Sequence, residues 1–558
     1  MDQTLQNLPP HLVQRIARRA TRWVTPTISG RLPSTGNPAW KMQKYLNISQ
    51  RWLHSCMPLY CQQAVLSTNT TASRIDERHY WSATPSVVYE LNGNMYTRHA
   101  HINVPFTSIA DGSMTKLLSQ PPYTNMCFPQ CEAIWFKPTR GHPTTMNPMH
   151  WNNNICKFVQ CVHRMFPNTR MCGISSAISL SDNDHAVFGH IGELFTQLIH
   201  LSTSVSYFAS SDHLFPARLS HTLGLTSIAY TECASSAQFV HLIRANHATL
   251  QELRIEATQP NLLAHIVAYP TPISFPYLSV LDAECLDPSP DFVPTYAPHA
   301  PFPRLETLTL HHPYPFTTRA VFAHNQHTLH RVSLHIQSTR DVLFYVHKVL
   351  GKQSMPRVTH FDIRVTCNEL VWDRYVSPVV VSAFVECAPR VQHLQLNVDC
   401  VGLEPSVRGY LTHAMSLGNI RYLKIGHTTL SISDVVRVLS RVPNVAQLVI
   451  DPQTIDPTTN MWIQDTTSLD HVHMLIRTYP QLAKRLKHVV FGLATCADME
   501  GAAHFAIQLA ILCTQITCIR WTTHSTLFAD HCERLSRVPE SPYAKYTQRL
   551  RTIDWEKR

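Results

Sequence analysis

Histidine and cysteine are the abundant residues of this chain whose side chains can bind metals or act as nucleophiles. The sequence has 34 histidines and 16 cysteines, yet they form neither the His-Glu-x-x-His pattern of a catalytic zinc site nor the paired Cys-x-x-Cys pattern of a structural one. By spacing, the best candidates for zinc ligands are Cys127, Cys131 and His142. Because Cys131 falls at an apolar position of a repeating pattern, we expect no metal ion and no other cofactor.

Motifs for catalysis and phosphate binding are also missing from the sequence. Only 16 glycines are present, and they form no Gly-x-Gly-x-x-Gly turn, no Gly-x-x-x-x-Gly-Lys phosphate loop and no Gly-x-Ser-x-Gly nucleophile turn. A catalytic triad assembled from distant segments leaves no such local pattern, so an enzyme of another kind stays an alternative. The sequence favours a protein that is not an enzyme, and it offers no catalytic residue.

The charge of the chain is positive but spread out. The formal net charge is +10 with 15% charged residues, and the densest cationic cluster consists of Arg15, Arg18, Arg19 and Arg22. A solvated helix face explains this cluster at least as well as a binding site does, and nucleic-acid binding usually requires a clustered stripe of cations. We therefore expect no nucleic-acid partner.

Cysteine usage and hydropathy indicate a reducing compartment, which is the cytoplasm, the nucleus or both. The cysteines are scattered and the chain opens with polar residues after Met1, which predicts free thiols and no secretory signal. The uncharged run of 18 residues at 502–519 is long enough to raise the question of a membrane span. It contains polar residues such as His504 and Gln508, and its second half matches the repeating pattern. A buried helix followed by a strand is therefore predicted, without membrane contact.

A six-residue pattern, apolar at positions 1, 4 and 6, recurs along most of the chain and must position any functional side chain. Leu250, Leu253 and Ile255 form one copy. Other copies begin at Leu225, Leu278, Leu305, Leu329, Val358, Val391, Ile420, Val445, Leu486 and Ile516, with weaker ones at Cys131, Thr169 and Ser202. Periods of roughly 20 to 50 residues are typical of stacked units that need their neighbours to bury an apolar face. The pattern predicts about fourteen units over residues 98–522.

Each unit is predicted to contain a short strand and a helix. Positions 4 and 6 lie on one face of a strand, and segments with helical spacing precede the strands, as Ile432, Val435, Val436 and Leu439 precede Val445. Prolines that stand two residues before position 1 can end those helices. An ordinary α/β sheet with helical crossovers is the alternative, although the glycine-rich ligand loops typical of that class are missing.

The pattern resembles the leucine-rich repeat, whose signature is L-x-x-L-x-L-x-x-N/C. The resemblance covers roughly three quarters of the chain and implies an α/β solenoid of horseshoe type. One element of the signature is missing, because the ninth position holds other residues in eight successive units: Thr258, Leu286, Pro313, Gln337, Thr366, Asp399, Thr428 and Gln453. Without asparagines there to satisfy the turn backbone, we expect irregular curvature.

Side chains at positions 3, 5 and 7 should project from the strand face opposite the core, on the concave side of the predicted solenoid. They are mostly acidic near the units that begin at Leu250 and Leu278, and basic or protonatable farther along. This order of charges suits an extended protein segment and contributes to specificity and association rate more than to affinity. The alternative is that these residues are polar only because they are exposed. The predicted partner-binding strip consists of Glu252, Arg254, Glu256, Asp282, Glu284, Arg331, His335, His360, Arg364, His393 and Lys424.

The N-terminal residues resemble an F-box, a short helical module that begins with Leu-Pro and closes on a Ser-x-Arg-Trp pattern. The residues that carry the resemblance are Leu8, Pro9, Leu12 and Ile16 at the start and Ile48 and Trp52 at the end. The prolines stand where a helix begins, and the apolar residues follow with helical spacing. The segment between Ala20 and Leu46 is longer than the family's usual connection, so the second helix is expected to be displaced or looped out.

The resemblance to F-box and leucine-rich-repeat proteins implies a substrate receptor of a ubiquitin ligase. In that family the F-box binds a Skp-type adaptor, the adaptor bridges to a cullin, and the repeats bind the protein to be modified. The resemblance implies that the chain is monomeric within its hetero-complex and that the adaptor contacts come from Leu8, Pro9, Leu12, Ile16, Ile48 and Trp52. The alternative is a repeat scaffold without a link to ubiquitination, in which the N-terminal residues only cap the array.

The predicted domain order follows from these two resemblances. Residues 1–66 form the F-box-like helical module, residues 67–97 a connector, and residues 98–522 the degenerate leucine-rich-repeat solenoid. Residues 523–558 form a C-terminal cap or tail. The identity of the target protein does not follow from the sequence.

Overall fold

The structure is a computed structural model in which the chain divides into two compact units, Met1–Leu278 and Ser279–Arg558. Each unit is described by itself. The residues that the structure describes are 12–13, 63–67, 95–104, 108–109, 111–121, 123–136, 148–176, 194–205, 224–233, 237–257, 263, 266–267, 272–284, 301–311, 321–322, 324–336, 354–367, 387–400, 418–426, 432–451, 469–480, 482–491, 499–521, 525–537, 541 and 543–556.

The first unit contains seven strands within its described residues, and each pairs in parallel with the next one along the chain. The strands are β1 (Gln63–Ser67), β2 (His99–Asn103), β3 (Ala133–Phe136), β4 (Met171–Ser176), β5 (His200–Val205), β6 (Ser227–Cys233) and β7 (Glu252–Ala257). Three helices lie between them in sequence: α1 (Ser113–Leu118), α2 (Pro148–Met165) and α3 (Ala237–Ala245).

The second unit continues the same pattern, with ten parallel strands in the described part of the chain. The strands are β8 (Val280–Glu284), β9 (Thr307–His311), β10 (Arg331–Ile336), β11 (His360–Cys367), β12 (His393–Cys400), β13 (Tyr422–Gly426), β14 (Gln447–Asp451), β15 (His488–Phe491), β16 (Cys518–Trp521) and β17 (Asp554–Glu556). The helices are α4 (Ile432–Arg441), α5 (Leu469–Thr478), α6 (Met499–Leu512), α7 (Ser525–Arg537) and α8 (Thr547–Leu550).

The strand order within each unit distinguishes a repeat stack from an ordinary α/β sheet. Consecutive strands pair without a change of direction along the sheet, for example β9 with β10 and β10 with β11. Doubly wound sheets reverse their strand order at a switch point, where ligands bind. The predicted α/β fold with stacked, solenoid-like repeats is therefore confirmed, and it is consistent with repeats of the leucine-rich type. The alternative of a doubly wound sheet does not describe either unit.

Positions 1, 4 and 6 of the repeat form the core of each unit, as the sequence predicts. Leu250, Leu253 and Ile255 of the β7 repeat are buried, and so are their equivalents in the β9 repeat. Strand registers align these positions, so that Leu281 pairs with Leu308 and Leu310 with Ala283. Burial of one such side chain stabilises the fold by about 1.5 to 3 kcal/mol.

The helical segments also match their predictions where the structure describes them. In α4, Ile432, Val435, Val436 and Leu439 are buried, because their spacing places them on one helix face. The uncharged run 502–519 is divided between α6 and β16, as predicted. Among the described residues, no helix combines the length and apolar character that a membrane crossing requires.

One repeat was assigned to the wrong frame from the sequence. A unit beginning at Ser202 was expected, but β5 registers Leu201 with Cys172 of β4 and with Ile228 of β6. Leu198 and Leu201 are both buried and occupy positions 1 and 4. Position 6 is then Thr203, and this polar residue conceals the repeat from a search for apolar triplets.

The sheet extends past the boundaries predicted for the solenoid, residues 98 and 522. β1 lies at the end of the predicted F-box-like module and pairs with β2, and β17 lies in the predicted C-terminal tail and pairs with β16. The backbone of Asp554 donates to the carbonyl of Thr517 at 2.9 Å, which satisfies backbone groups that an open strand edge leaves unpaired. With these two additions, the described residues contain seventeen strands rather than about fourteen.

Asparagines do stabilise the turns, but at a different position from the ninth. Asn419, directly before position 1 of its repeat, donates from Nδ2 to the carbonyl of Pro389 in the preceding turn at 2.9 Å. Asn444 makes the same bond to Gly418 at 2.6 Å, and Asn168 bonds equivalently to Pro129 at 2.9 Å. These three turn asparagines fasten one turn to the next.

A second kind of asparagine is buried four residues before position 1. Asn246 donates from Nδ2 to the carbonyl of Leu242 at 2.9 Å, and its Oδ1 accepts the backbone N–H groups of Gly224 and Leu225, each at 3.0 Å. Asn325 in the second unit donates to the carbonyl of Val321 at 2.8 Å. Buried polar groups are costly unless bonded, so these side chains are structural.

Candidate partner-binding strand face

The outward strand face carries the predicted partner-binding strip. Positions 4 and 6 point into the core, so the alternating positions 3, 5 and 7 point to the opposite face. All the predicted strip residues lie on strands, with Glu252, Arg254 and Glu256 on β7 in the first unit. The remainder lie on β8 to β13 in the second unit.

On β7, the acidic end of the strip is neutralised by a neighbouring cation. Oε1 of Glu252 lies 2.5 Å from Nη2 of Arg254 and accepts a hydrogen bond from its Nε at 2.6 Å. The hydroxyl of Ser227 on β6 donates to the other carboxylate oxygen at 3.2 Å. A carboxylate held in this way presents less negative charge to a partner than the sequence order suggests.

On β8 to β10, an aspartate and two histidines contact one another across strands. Nε2 of His311 lies 2.9 Å from Oδ1 of Asp282, and the ring of His311 meets that of His335 edge-on, with 4.2 Å between centroids. Nε2 of His335 lies 3.2 Å from the hydroxyl of Ser333. The contact with Asp282 is an ion pair only when the imidazole of His311 carries a proton on both nitrogens.

On β11, Asp362 lies between the strip residues His360 and Arg364. It accepts a hydrogen bond from the hydroxyl of Ser333 at 3.2 Å, and Nη2 of Arg364 lies 3.2 Å from the same oxygen, Oδ2. Its Oδ1 is buried without a hydrogen-bond partner. Burial raises the pKa of this carboxyl, against the lowering effect of Arg364 and Lys424. One carboxylate oxygen of Asp362, Oδ2, therefore has polar partners, and the other, Oδ1, has none.

On β11 to β13, three rings stack in register at position 3. The rings of His360 and His393 are nearly parallel, with centroids 4.1 Å apart, and Tyr422 stacks on His393 at 5.5 Å. Burial, the neighbouring His393 and the cation of Arg331 lower the pKa of His360 to about 4. Burial and Arg331 also lower the pKa of His393. At neutral pH the two imidazoles are therefore uncharged.

In the first unit, the outward face is packed against itself, which the sequence did not predict. Trp135 on β3 stacks on His101 at 5.4 Å between centroids and lies 5.6 Å from His99. Its indole covers Gly173, where a Cβ atom would lie only 2.5 Å from Trp135 Cδ1. The signal was present as a glycine between two strand residues, since glycine in a strand often marks a close approach.

Two buried imidazoles belong to this packed face. Nδ1 of His99 and Nε2 of His200 have no hydrogen-bond partner. Burial lowers the pKa of both rings, because desolvation disfavours the charged form. These histidines are therefore neutral packing residues.

A surface cavity of about 510 Å³ lies at the N-terminal ends of β3 to β5. It is lined by Pro129, Gln130, Glu132, Asn168, Arg170 and Gln197. Beside it, Nη1 of Arg98 lies 3.2 Å from Glu132 and donates to Oε1 of Gln130 at 2.7 Å. Its walls carry both signs of charge, through Glu132 and Arg170.

Among the described residues, no group of three His, Cys, Asp or Glu side chains could hold a metal ion. This includes Cys127 and Cys131, two of the three candidate zinc ligands. Cys131 is buried, and burial raises the pKa of its thiol, as it does for Cys172. Burial also raises the pKa of Cys513 to about 12 and that of Cys532 well above the usual range. His142 lies outside the described residues. The nine cysteines whose side chains the structure describes form no disulfide.

Of the predicted adaptor contacts, only Leu12 lies among the described residues. It is helical and half-buried, and Val13 beside it is fully buried. Adjacent residues of a helix face different directions, so Val13 faces the interior and Leu12 is the more accessible of the two. Leu8, Pro9, Ile16, Ile48 and Trp52 lie outside the described residues, and their contacts remain predictions.

The comparisons with known proteins give weak structural likeness and no likeness in sequence. No family model matches the chain, and no curated protein is similar in sequence. Among solved structures, the chain is similar to one from the crystal structure of the yeast Rad7 and Elc1 complex, with 11% identity and a TM-score of 0.33. The alignment covers 74% of this chain and 91% of that one. At this TM-score and identity, the likeness supports no conclusion about function.

Proposed function

We propose that the protein is a non-enzymatic substrate-recognition subunit of a Skp-cullin-F-box ubiquitin ligase, acting in the cytoplasm, the nucleus or both. The N-terminal module recruits the Skp-type adaptor and thereby the cullin, and the repeats bind the target protein. One observation carries the proposal: the F-box-like residues that end at Trp52 stand directly before a stack of repeats whose first described strand is β1. Recruitment and recognition are thus adjacent in the chain.

The repeat stack suits the recognition role. Its apolar residues are used for stacking, and the outward strand positions display charged and protonatable side chains that differ from strand to strand. Interfaces of this composition gain specificity from the order of charges and from hydrogen bonds. The predicted strip on β7 to β13 therefore supports the binding of a protein rather than of a small apolar ligand.

The half-buried position of Leu12 supports the recruitment role. A docking helix needs apolar side chains that stay accessible, whereas Val13 is used for internal packing. Truncation of one such anchor costs about 1 to 2 kcal/mol of binding free energy. Loss of three anchors should therefore weaken adaptor binding by at least about a hundredfold.

The test is co-purification of the full chain with the Skp-type adaptor. The variant Leu8→Ala, Leu12→Ala and Ile16→Ala should lose the adaptor while its thermal unfolding temperature stays close to that of the unchanged protein. The matched control replaces two exposed apolar residues of the repeats, Leu117→Ala and Met474→Ala, and should retain the adaptor. A folded triple variant that still binds, or an unchanged protein that never binds, would sink the proposal.

A second candidate function is a repeat scaffold without a link to ubiquitination. One observation favours it: β1 lies within the predicted module yet pairs with β2 as part of the sheet. Open arrays need terminal elements that shield their core, and β1 stands next to β2 at the N-terminal end of the described strands. Removal of residues 1–62, which leaves β1 in place, distinguishes the two functions, because only the ligase subunit loses adaptor and cullin while keeping its other partners.

A further inference from the structure

The N-terminal turns of β10 to β15 bring together cations that are far apart in sequence. We define the basic rim as the four residues from the one before position 1 to position 3 in each of these six repeats: 328–331, 357–360, 390–393, 419–422, 444–447 and 485–488. The rim contains six cations and no carboxylate: Arg331, Arg357, Arg390, Arg421, Arg485 and Lys487. In the whole chain, 47 cations are balanced by 37 acids, so the rim is strongly enriched in positive charge.

The cations of the basic rim are accessible. All six residues are exposed, and none of them has an ion-pair partner among the residues that the structure describes. This differs from Arg254 and Arg364 on the strands, each of which pairs with a carboxylate two residues away. Cations clustered in this way produce a positive potential that attracts an anionic partner and accelerates its association.

Hydrogen bonds fix the spacing of the basic rim. The backbone of Arg421 donates to the carbonyl of Gln392 at 2.8 Å, and Lys487 bonds to Ala446 at 2.9 Å. The turn asparagine Asn419 bonds to the carbonyl of Pro389, directly before Arg390. A rim held by its turns needs little reorganisation on binding, which lowers the entropic cost of association.

The dimensions of the basic rim suit an extended chain. Five steps between neighbouring strands of about 4.8 Å give a length of about 24 Å. About seven residues of extended peptide, at roughly 3.4 Å each, cover that distance. The cations are distributed along β10 to β13 and at β15, so an anionic segment meets positive charge along most of its length.

The aromatic rings of the basic rim do not favour a nucleic acid. Single-stranded nucleic acids bind where aromatic faces are open to stacking with bases. Here the faces of His360, His393 and Tyr422 are turned to one another, with only 4.1 Å between the first two centroids. That spacing leaves no room for a base, and the remaining chemistry of the rim is cationic.

We propose that the basic rim binds an extended, acidic segment of the target protein, rich in Asp and Glu. This inference rests on the proposed function, in which the repeats bind the target, and it names the chemical class of the part that is recognised. Arginine forks pair with carboxylates through parallel hydrogen bonds, and five of the six rim cations are arginines. The strand face beside the rim then contacts the residues that flank the acidic segment.

The experiment measures binding of a fluorescent peptide to the full-length protein by anisotropy. The probe alternates Glu and Ser over about twelve residues, enough to span the rim, and a neutral version carries Gln for Glu. The acidic probe should bind at least about tenfold more tightly than the neutral one, with an affinity that falls as salt is added. Equal binding of the two peptides would overturn the proposal.

Charge reversal locates the site. The variant Arg357→Glu, Arg390→Glu and Arg421→Glu should weaken binding of the acidic probe by at least about tenfold. The control Arg441→Glu, Arg477→Glu and Arg551→Glu changes the net charge equally, at exposed residues of the same unit outside the rim, and should change binding less than about twofold. Equal losses in both variants would show a non-specific charge effect and overturn the proposal.

A third probe separates the two classes of anion, and adaptor binding separates the two proposals. Polyuridine of similar length should bind more weakly than the acidic peptide, and tighter binding would assign the rim to nucleic acid instead.

Co-purification of the adaptor with the rim variant should be unchanged. Peptide binding without adaptor binding would refute the ligase role alone, whereas adaptor binding without peptide binding would refute the rim site alone.

Discussion

Two stretches of six strands, β2–β7 in the first unit and β10–β15 in the second, share one repeat frame and differ in their outward surfaces. In the first, the imidazoles of His99 and His200 are largely buried, and Trp135 covers Gly173. In the second, His393 is exposed and the turns carry the basic rim. The inward positions thus build the stack, while the outward positions can serve either packing or binding.

The turns of the two stretches show the same contrast in charge. The four corresponding residues of each repeat from β2 to β7 contain two cations, Arg98 and Arg170, and two carboxylates, Glu132 and Glu252. Arg98 pairs with Glu132 at 3.2 Å. These residues of the first stretch therefore carry no net charge, whereas those of the second carry six cations and no carboxylate.

The largest predicted difference between the two units concerns their buried asparagines, Asn246 and Asn325. Asn246→Ala removes the acceptor of two backbone N–H groups and one donated bond, which should lower the free energy of unfolding by about 2 to 4 kcal/mol. Asn325→Ala in the second unit removes fewer bonds to backbone and should cost about 1 to 2 kcal/mol. Urea unfolding followed by circular dichroism measures both. Equal costs would show that the turn bonds to Gly224 and Leu225 are unimportant.

The next effect tests whether the outward face of the first unit is truly packed. Gly173→Ala places a methyl group against Trp135, and overpacking of this kind should cost about 1 to 3 kcal/mol. Gly418→Ala in the second unit meets no atom within 4 Å and should change stability by less than about 0.5 kcal/mol. Thermal unfolding and tryptophan fluorescence measure the difference. A neutral Gly173→Ala would mean that the two faces are equally open.

The smallest effect concerns pH and the histidine stack of the second unit. His360 faces Arg331 on β10 and His393 on β12, and its pKa of about 4 lies below the 6.5 of an unfolded chain. The unfolded state therefore binds more protons between these values, and stability should fall as the pH is lowered from 6.5 towards 4. His360→Gln should make this decrease shallower, as measured by urea midpoints at neutral and mildly acidic pH.

The control for the pH experiment is an exposed histidine of the same unit. His327→Gln removes an imidazole outside the stack and should leave the pH dependence of the urea midpoint unchanged. An equally shallow decrease in both variants would mean that the stacked ring contributes nothing special. The stack would then not differ from an ordinary exposed surface.

The sequence predicted the buried positions of the strands and helices well, because apolar residues recur with the period of the buried face. The triplet at Leu250 identified the core of nearly every described repeat, and the run at 502–519 was correctly divided into helix and strand. The β5 repeat was misplaced because Thr203 interrupts its triplet. β1 and β17 were missed because short terminal strands lack the full pattern and depend on pairing with a neighbour.

The outward half could be predicted only in part. Residue order gave the strip, but not the ion pairs that Glu252 and the adjacent Asp362 form with Arg254 and Arg364. The basic rim was invisible because its cations lie roughly one repeat apart in sequence and meet only when the strands are in register. The turn asparagines were missed because the leucine-rich signature directs attention to the ninth position instead.

The buried thiols make it possible to measure how often each unit opens. Only a thiolate reacts readily with alkylating or oxidising reagents, and Cys131 and Cys172 in the first unit are buried, as are Cys513 and Cys532 in the second. Each sulfur therefore becomes reactive only when its surroundings open. The pattern of modified cysteines after mild exposure to such a reagent ranks the two units by how often each one opens, and the experiment needs no mutation.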